Sequence, residues 1–251
     1  MDILGIDLGL VQWLAVILAA FLVGFSKTGI GGVMMLAIPI LAGVFGGKDS
    51  TGIMLPMLIV GDIFAIFYYN RSAEWKNVIT PLPSALIGLG VGVVIGNYIN
   101  DNTFVKMIGI IVLFCLAVLI YTEMKGQDFV VPNAPWFYIT VGILSGFASM
   151  IGNAAGPIFS VYLLALGFKK NNFMGINAWF FFIINLSKVP LQIFFWHNIG
   201  ATSLITTAIM IPVITLGAVL GAIVLKKINE KYFRYLVIGM TAIAALKLLI
   251  K

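Results

Sequence analysis

"GFSKTGIGG", residues 24–32, interrupts an apolar stretch that begins near Leu8 and runs to Phe45. A lysine, a serine, a threonine and four glycines stand where lipid would demand apolar side chains. Gly29, Gly31 and Gly32 let the backbone leave helical geometry, which frees amide groups that hydrocarbon cannot satisfy. Such backbone persists at membrane depth only where protein buries it or where it lines a wet cavity. The stretch therefore reads as a break in a helix, built into the protein's interior.

The rest of the chain supports that setting. Of 251 residues, 61% are hydrophobic and only 10% are charged, and the mean hydropathy is +1.11. A soluble domain is about half apolar and about a quarter charged. Long apolar runs separated by short charged loops define an all-α polytopic membrane protein. A β-barrel would show alternating segments of roughly ten residues, and none occurs. The net charge of +6 lies mostly in loops, so it reports on topology and lipid headgroups rather than nucleic acid. The single cysteine, Cys115, excludes an internal disulfide and a thiolate metal cluster, and no cofactor or metal is expected. The N-terminus carries Asp2 and Asp7 without a basic n-region, so it does not read as a cleaved signal peptide.

Apolar segments fall at about 8–25, 30–45, 51–69, 79–98 and 103–122, then at about 136–150, 156–167, 173–196, 201–225 and 231–250. Segments of roughly 20 residues cross a core about 30 Å thick; those at 30–45 and 156–167 are too short to do so comfortably. The halves also resemble each other. "GF" at Gly24 is matched by "GF" at Gly146, and Pro83, Gly88 and Gly92 recur at a constant spacing of 129 as Pro212, Gly217 and Gly221. This predicts a first transmembrane repeat over 1–124, a connecting loop over 125–135 and a second repeat over 136–251. Each repeat is expected to hold about four transmembrane helices and to begin with a broken or re-entrant helix hairpin.

Orientation follows from loop charge. If each break is a crossing, the Lys and Arg residues divide eight against four; if each is a hairpin that returns, they divide nine against three. Both counts put both termini outside the cytoplasm. The hairpin count has the stronger bias and implies inverted halves, although a parallel arrangement stays open.

Candidate site residues are the polar groups that lipid should exclude. In the first break these are Ser26, Lys27, Thr28, Gly29, Gly31 and Gly32. In the second, "SMIGNAAGP" (149–157), they are Asn153, Ala154 and Gly156. Pro157 suits the first turn of a new helix, whose unpaired N–H groups and positive dipole end favour an anion. Lys27 either attracts an anion, pairs with an acid or snorkels to an interface. Small residues at the breaks could equally serve close helix packing.

Asp62 and Lys188 lie within apolar runs, where each charge costs at least about 2.5–3.5 kcal/mol on insertion scales. Aligning the halves sets Asp62 opposite Asn185, and both are candidates for coupling or gating. An Asp62–lysine pair that only holds helices together is the structural alternative. Asn177, Asn185, Lys188 and Gln192 fall on one helix face, either as glue between helices or as the wall of a pathway. Asn177, Lys188 and Gln192 are assigned to substrate, because ammonium and amide donors suit oxyanions. His197 and Asn70 lie at segment ends, where solvated loop residues are the default.

At these residues the chain resembles the sulfite exporter TauE/SafE family of membrane transporters. The resemblance rests on "GFSKTGIGG" (24–32), "GDIFAIFYYNRSAEW" (61–75), "GNAAGP" (152–157) and "AWFFFIINLSKVP" (178–190). "GNAAGP" departs from the family's frequent glycine triplet in the second repeat. The resemblance implies a secondary transporter for export or uptake of small sulfur-containing anions such as sulfite or organosulfonates across the bacterial inner membrane, with export the expected direction. A coupling proton or cation would accompany it.

Other functions fit less well. An intramembrane enzyme needs a nucleophile–base set or metal ligands, and the chain offers one histidine, one cysteine and one deeply placed carboxylate. An anion channel or a non-transporting accessory subunit would use the same cationic residues. Duplicated, discontinuous elements favour a carrier. The particular anion, the transport direction and the oligomeric state are not encoded in these patterns.

Overall fold

The structure, a computed structural model, describes residues 2–3, 6–29, 31–125, 135–166, 168 and 170–225. The expected last segment, 231–250, and the centre of the connecting loop lie outside these. After a two-residue antiparallel pairing of Asp2–Ile3 with Ile6–Asp7, the described chain is helical. The first part comprises α1 (Leu10–Thr28), a 3-10 turn (Gly31–Val33), α2 (Met34–Phe45), α3 (Gly47–Tyr69), α4 (Trp75–Ile79), α5 (Leu82–Tyr98) and α6 (Asp101–Lys125). It continues through α7 (Pro135–Gly152), α8 (Gly156–Ala165), α9 (Lys170–Leu191), a π-helical turn (Gln192–Trp196) and α10 (Ala201–Leu225).

Among the described residues, six helical stretches are long and apolar enough to cross a membrane: 10–28, 47–69, 75–98, 135–152, 171–196 and 201–224. The polarity gradient is that of a membrane protein. Val11, Phe67, Phe194 and Tyr98 face outward, whereas Asp62, Lys188, Gln192, Asn185 and Asn153 are buried. Bulk hydrocarbon can solvate the first group but not the second.

Each interruption in the sequence is a hairpin tip. Tyr162, late in α8, packs against Phe137 and Tyr138 at the start of α7, with ring centroids 6.5 and 5.9 Å apart. α8 therefore runs back along α7. In the first part, a single residue, Gly46, separates α2 from α3, and α3 runs in the same sense as α1. Gly61 sits against Val23 and Lys27, and the Tyr69 hydroxyl donates to Thr28 O at 2.7 Å. α2 must then return toward the side where α1 starts.

The hairpins enter from opposite sides. α10 starts beside the first turns of α3, with Asn198 O against Gly52, and runs parallel to α1. α5 runs the other way and ends at Trp196 with Gly96 against its ring, while Lys48 of α3 lies over the same ring. α7 runs parallel to α5, since Gly142 meets Ser84 and Gly92 meets Met150.

Glycines set these parallel contacts. A Cβ at Gly24 would strike the Ile214 carbonyl, and one at Gly146 would strike the Ala85 carbonyl. Likewise Gly217 lies against Phe21 O, and Gly88 against Ile143 O. Without side chains at the crossing, backbones approach closely and dispersion contacts accumulate, the main source of helix association in lipid. Gly24→Ala and Gly146→Ala should each lower stability by about 1–3 kcal/mol through overpacking. Gly90→Ala, where a Cβ meets nothing within 4 Å, should leave it unchanged. Thermal unfolding in detergent checks the contrast, and equal midpoints for all three variants would contradict it.

Candidate functional site

α9 carries Asn185 and Lys188 one turn apart, as the helical repeat dictates, and both point into the protein. Asp62 reaches them from α3, Lys27 from the last turn of α1, and Asn153 from the tip between α7 and α8. Asn153 adopts the left-handed conformation, with φ 54°, a region that asparagine tolerates better than most residues. That backbone reversal ends α7 and turns the amide side chain inward.

These side chains form one continuous chain of polar contacts. Lys27 Nζ pairs with Asp62 Oδ1 at 2.5 Å. Asn185 Nδ2 donates to Asp62 Oδ2 at 2.6 Å, and Lys188 Nζ donates to Asn185 Oδ1 at 3.3 Å. Lys188 also donates to Ser149 Oγ at 3.3 Å and to Asn153 Oδ1. Asp62 and Lys188 are 0% exposed, so protein atoms alone replace their water. The tips of both hairpins are thereby tied through α3 and α9.

Aromatic rings flank the chain. Lys27 Nζ lies 5.1 Å from the Phe181 ring centroid, within reach of a cation–π attraction. Phe181 stands edge-on to Phe180, which stacks on Phe159 at 3.8 Å. These rings exclude water from one flank and strengthen every electrostatic interaction beside them.

The charges do not cancel. Lys27 is compensated by Asp62, whereas Lys188 faces one hydroxyl and two amide oxygens, all neutral. With both lysines protonated, the cluster carries a net single positive charge. An anionic oxygen among the Lys188 acceptors would balance it, with charge-assisted hydrogen bonds roughly twice as strong as neutral ones.

The other sequence-predicted residues divide by role. Ser26 Oγ returns to Val23 O at 3.2 Å. Thr28 Oγ1 donates to Ala218 O at 2.5 Å, and Gly29 N closes α1 on Phe25 O at 2.9 Å while packing on Gly221. These groups clamp the first tip to α10. Gly31 and Gly32 form the 3-10 turn with Val33. Ala154 N bonds Ala148 O at 3.1 Å. Gly156 opens α8, and a Cβ there meets nothing within 4 Å. Asn177 Oδ1 is buried without a protein donor, and no bond among the described residues links it to the chain. Gln192 turns away, with Nε2 on Thr51 Oγ1 at 3.4 Å.

Sequence reasoning missed Ser149 and Phe181. A signal for Ser149 existed, because the spacing of 122 that pairs Gly24 with Gly146 also pairs Lys27 with Ser149. Phe181 carried none, being one of 19 phenylalanines.

Removing one partner of a buried pair strands the other charge. Asp62→Leu alone should cost about 3–5 kcal/mol, and adding Lys27→Met should recover most of that loss. Chemical or thermal unfolding of the single and double variants in detergent tests this. A double variant as unstable as the single one would refute the pairing.

The family model described as Sulfite exporter TauE/SafE matches residues 16–248. No curated protein and no solved structure matches the chain.

Proposed function

Because the chain belongs to the sulfite exporter TauE/SafE family of membrane transporters, we propose that it exports a small sulfur-containing oxyanion, sulfite or an organosulfonate, through the Lys27–Asp62–Asn185–Lys188–Asn153 chain. The observation that carries this reading is Lys188, a fully buried lysine whose hydrogen-bond acceptors are all neutral. An oxyanion takes the place of one or more of those acceptors and supplies the missing negative charge. Asn153 then turns its N–H groups to the anion, joined by first-turn amides of α8, which have no acceptor within their own helix. Open space beside Gly156 leaves room for the guest. Lys27 stays with Asp62, and a change in that pair gates the site.

The proposed movement rests on inverted repeats. The contact of Gly24 with Ile214 O has its counterpart in that of Gly146 with Ala85 O. Gly217 with Phe21 O corresponds in the same way to Gly88 with Ile143 O. Each pair is related by the sequence spacings of 122 and 129. Two like units of opposite sense, each with a glycine-lined seam, support alternating access by rocking one against the other. The nine-to-three charge division supports both termini outside the cytoplasm in a bacterial inner membrane.

Counterflow of labelled sulfite in proteoliposomes tests the assignment. Lys188→Met should reduce saturable counterflow at least tenfold, a loss of about 1.4 kcal/mol or more, with expression near normal. Asn153→Leu should do the same. Parent-like counterflow in Lys188→Met would make the lysine structural and overturn the site.

A further inference from the structure

The end of α9 holds a second buried polar cluster, of a different chemistry. Its last turn, Gln192–Trp196, is π-helical and closes at His197, whose φ of 51° is left-handed. π turns insert one residue into a helix and recur at functional sites. Asn198, just beyond, is seated against α3 where Gly52 leaves space for its backbone carbonyl.

Thr51 decides how the two amides at this turn must point. Its hydroxyl proton goes to Lys48 O at 2.7 Å. The Thr51 oxygen can then only accept, and it does so from Gln192 Nε2 at 3.4 Å and Asn198 Nδ2 at 3.1 Å. Asn198 Nδ2 also donates to Lys48 O at 2.7 Å, which fixes that amide twice over. The two side-chain carbonyl oxygens are thereby turned away from Thr51. Gln192 Oε1 and Asn198 Oδ1 are both buried with no protein donor, and Gln192 is 0% exposed. A buried acceptor left unpaired loses its hydration without replacement, so the arrangement calls for a partner.

We propose that Gln192 Oε1 and Asn198 Oδ1 form a binding site for a monovalent alkali cation such as Na⁺, which couples to movement of the anion. The cluster lies at the C-terminal end of α9, which carries the negative end of the helix dipole, as at the cation sites of broken transporter helices. Both side-chain ligands are neutral, and the Asp101 carboxylate nearby accepts from Gly47 N and Lys48 N at 3.0 and 3.2 Å. Two neutral amide oxygens suit a monovalent ion; divalent ions take carboxylate ligands. The Lys48 ammonium lies 5.6 Å from the Trp196 ring centroid and is the like charge that weakens the site. Gln192 thus serves a cation rather than the oxyanion that its amide suggested. Cation binding stands on this cluster alone; its coupling role rests on the transport reading above.

The test compares the full chain in NaCl and in N-methyl-D-glucamine chloride at equal ionic strength. Its melting temperature should rise saturably with Na⁺. Gln192→Met should lose the saturable part, whereas Gln192→Glu, which adds a charged ligand, should bind Na⁺ severalfold more tightly. Lys48→Met should also tighten binding. A flat response in the parent overturns the proposal. So does an unchanged Na⁺ affinity in Gln192→Glu, which decides the matter even if Gln192→Met does not fold. Sulfite counterflow in the same two salts separates the readings: equal flux in both removes the coupling role and leaves the anion site standing.

Discussion

An ammonium group stripped of water costs several kcal/mol unless neighbouring atoms replace its hydration, and Lys188 meets that demand with Ser149, Asn153 and Asn185. No single helix could supply these acceptors. Ser149 and Asn153 come from the end of α7, and Asn185 from α9 itself. Asn185 in turn spends its other end on Asp62, which is committed to Lys27 of α1. Burying one lysine therefore requires two hairpin tips and two central helices to converge. The interruptions make this possible because they end helices inside the protein, where their polar atoms can reach the centre.

Convergence of this kind needs helices that approach closely without a hydrophobic drive between them, since lipid tails are as apolar as leucine. The glycine seams between α1 and α10 and between α5 and α7 supply that approach. Residues at the first tip contribute to the same end. Thr28 and Gly29 look polar or permissive in the sequence, yet in the fold they anchor α1 to α10 through Ala218 O and Gly221. A residue near a site can be there to hold the backbone still.

The parts of this arrangement that could be read from the sequence are those in which a residue type conflicts with its surroundings. Lys27, Asp62 and Lys188 stand out because charge is costly in apolar runs. Aligning the halves placed Asp62 opposite Asn185, and the two are hydrogen-bonded. What escaped has a physical reason in each case. Gln192 shares a buried face with Lys188, yet its amide donates to Thr51 on α3, a contact between distant segments that local period cannot report. The role of Thr28 depends on Ala218, 190 positions away, and local pattern cannot report such a contact. Ser149 is an ordinary serine until Lys188 is set beside it.

The central claim is that a sulfur oxyanion sits at the junction of the two hairpin tips. Selenite shares the shape and charge of sulfite, and its selenium scatters anomalously, so crystals grown with selenite locate the guest directly. An anomalous peak within hydrogen-bonding reach of Lys188 Nζ and Asn153, lost in Lys188→Met crystals, is the predicted result. A peak confined to the surface loops, in protein that still transports, would contradict the account.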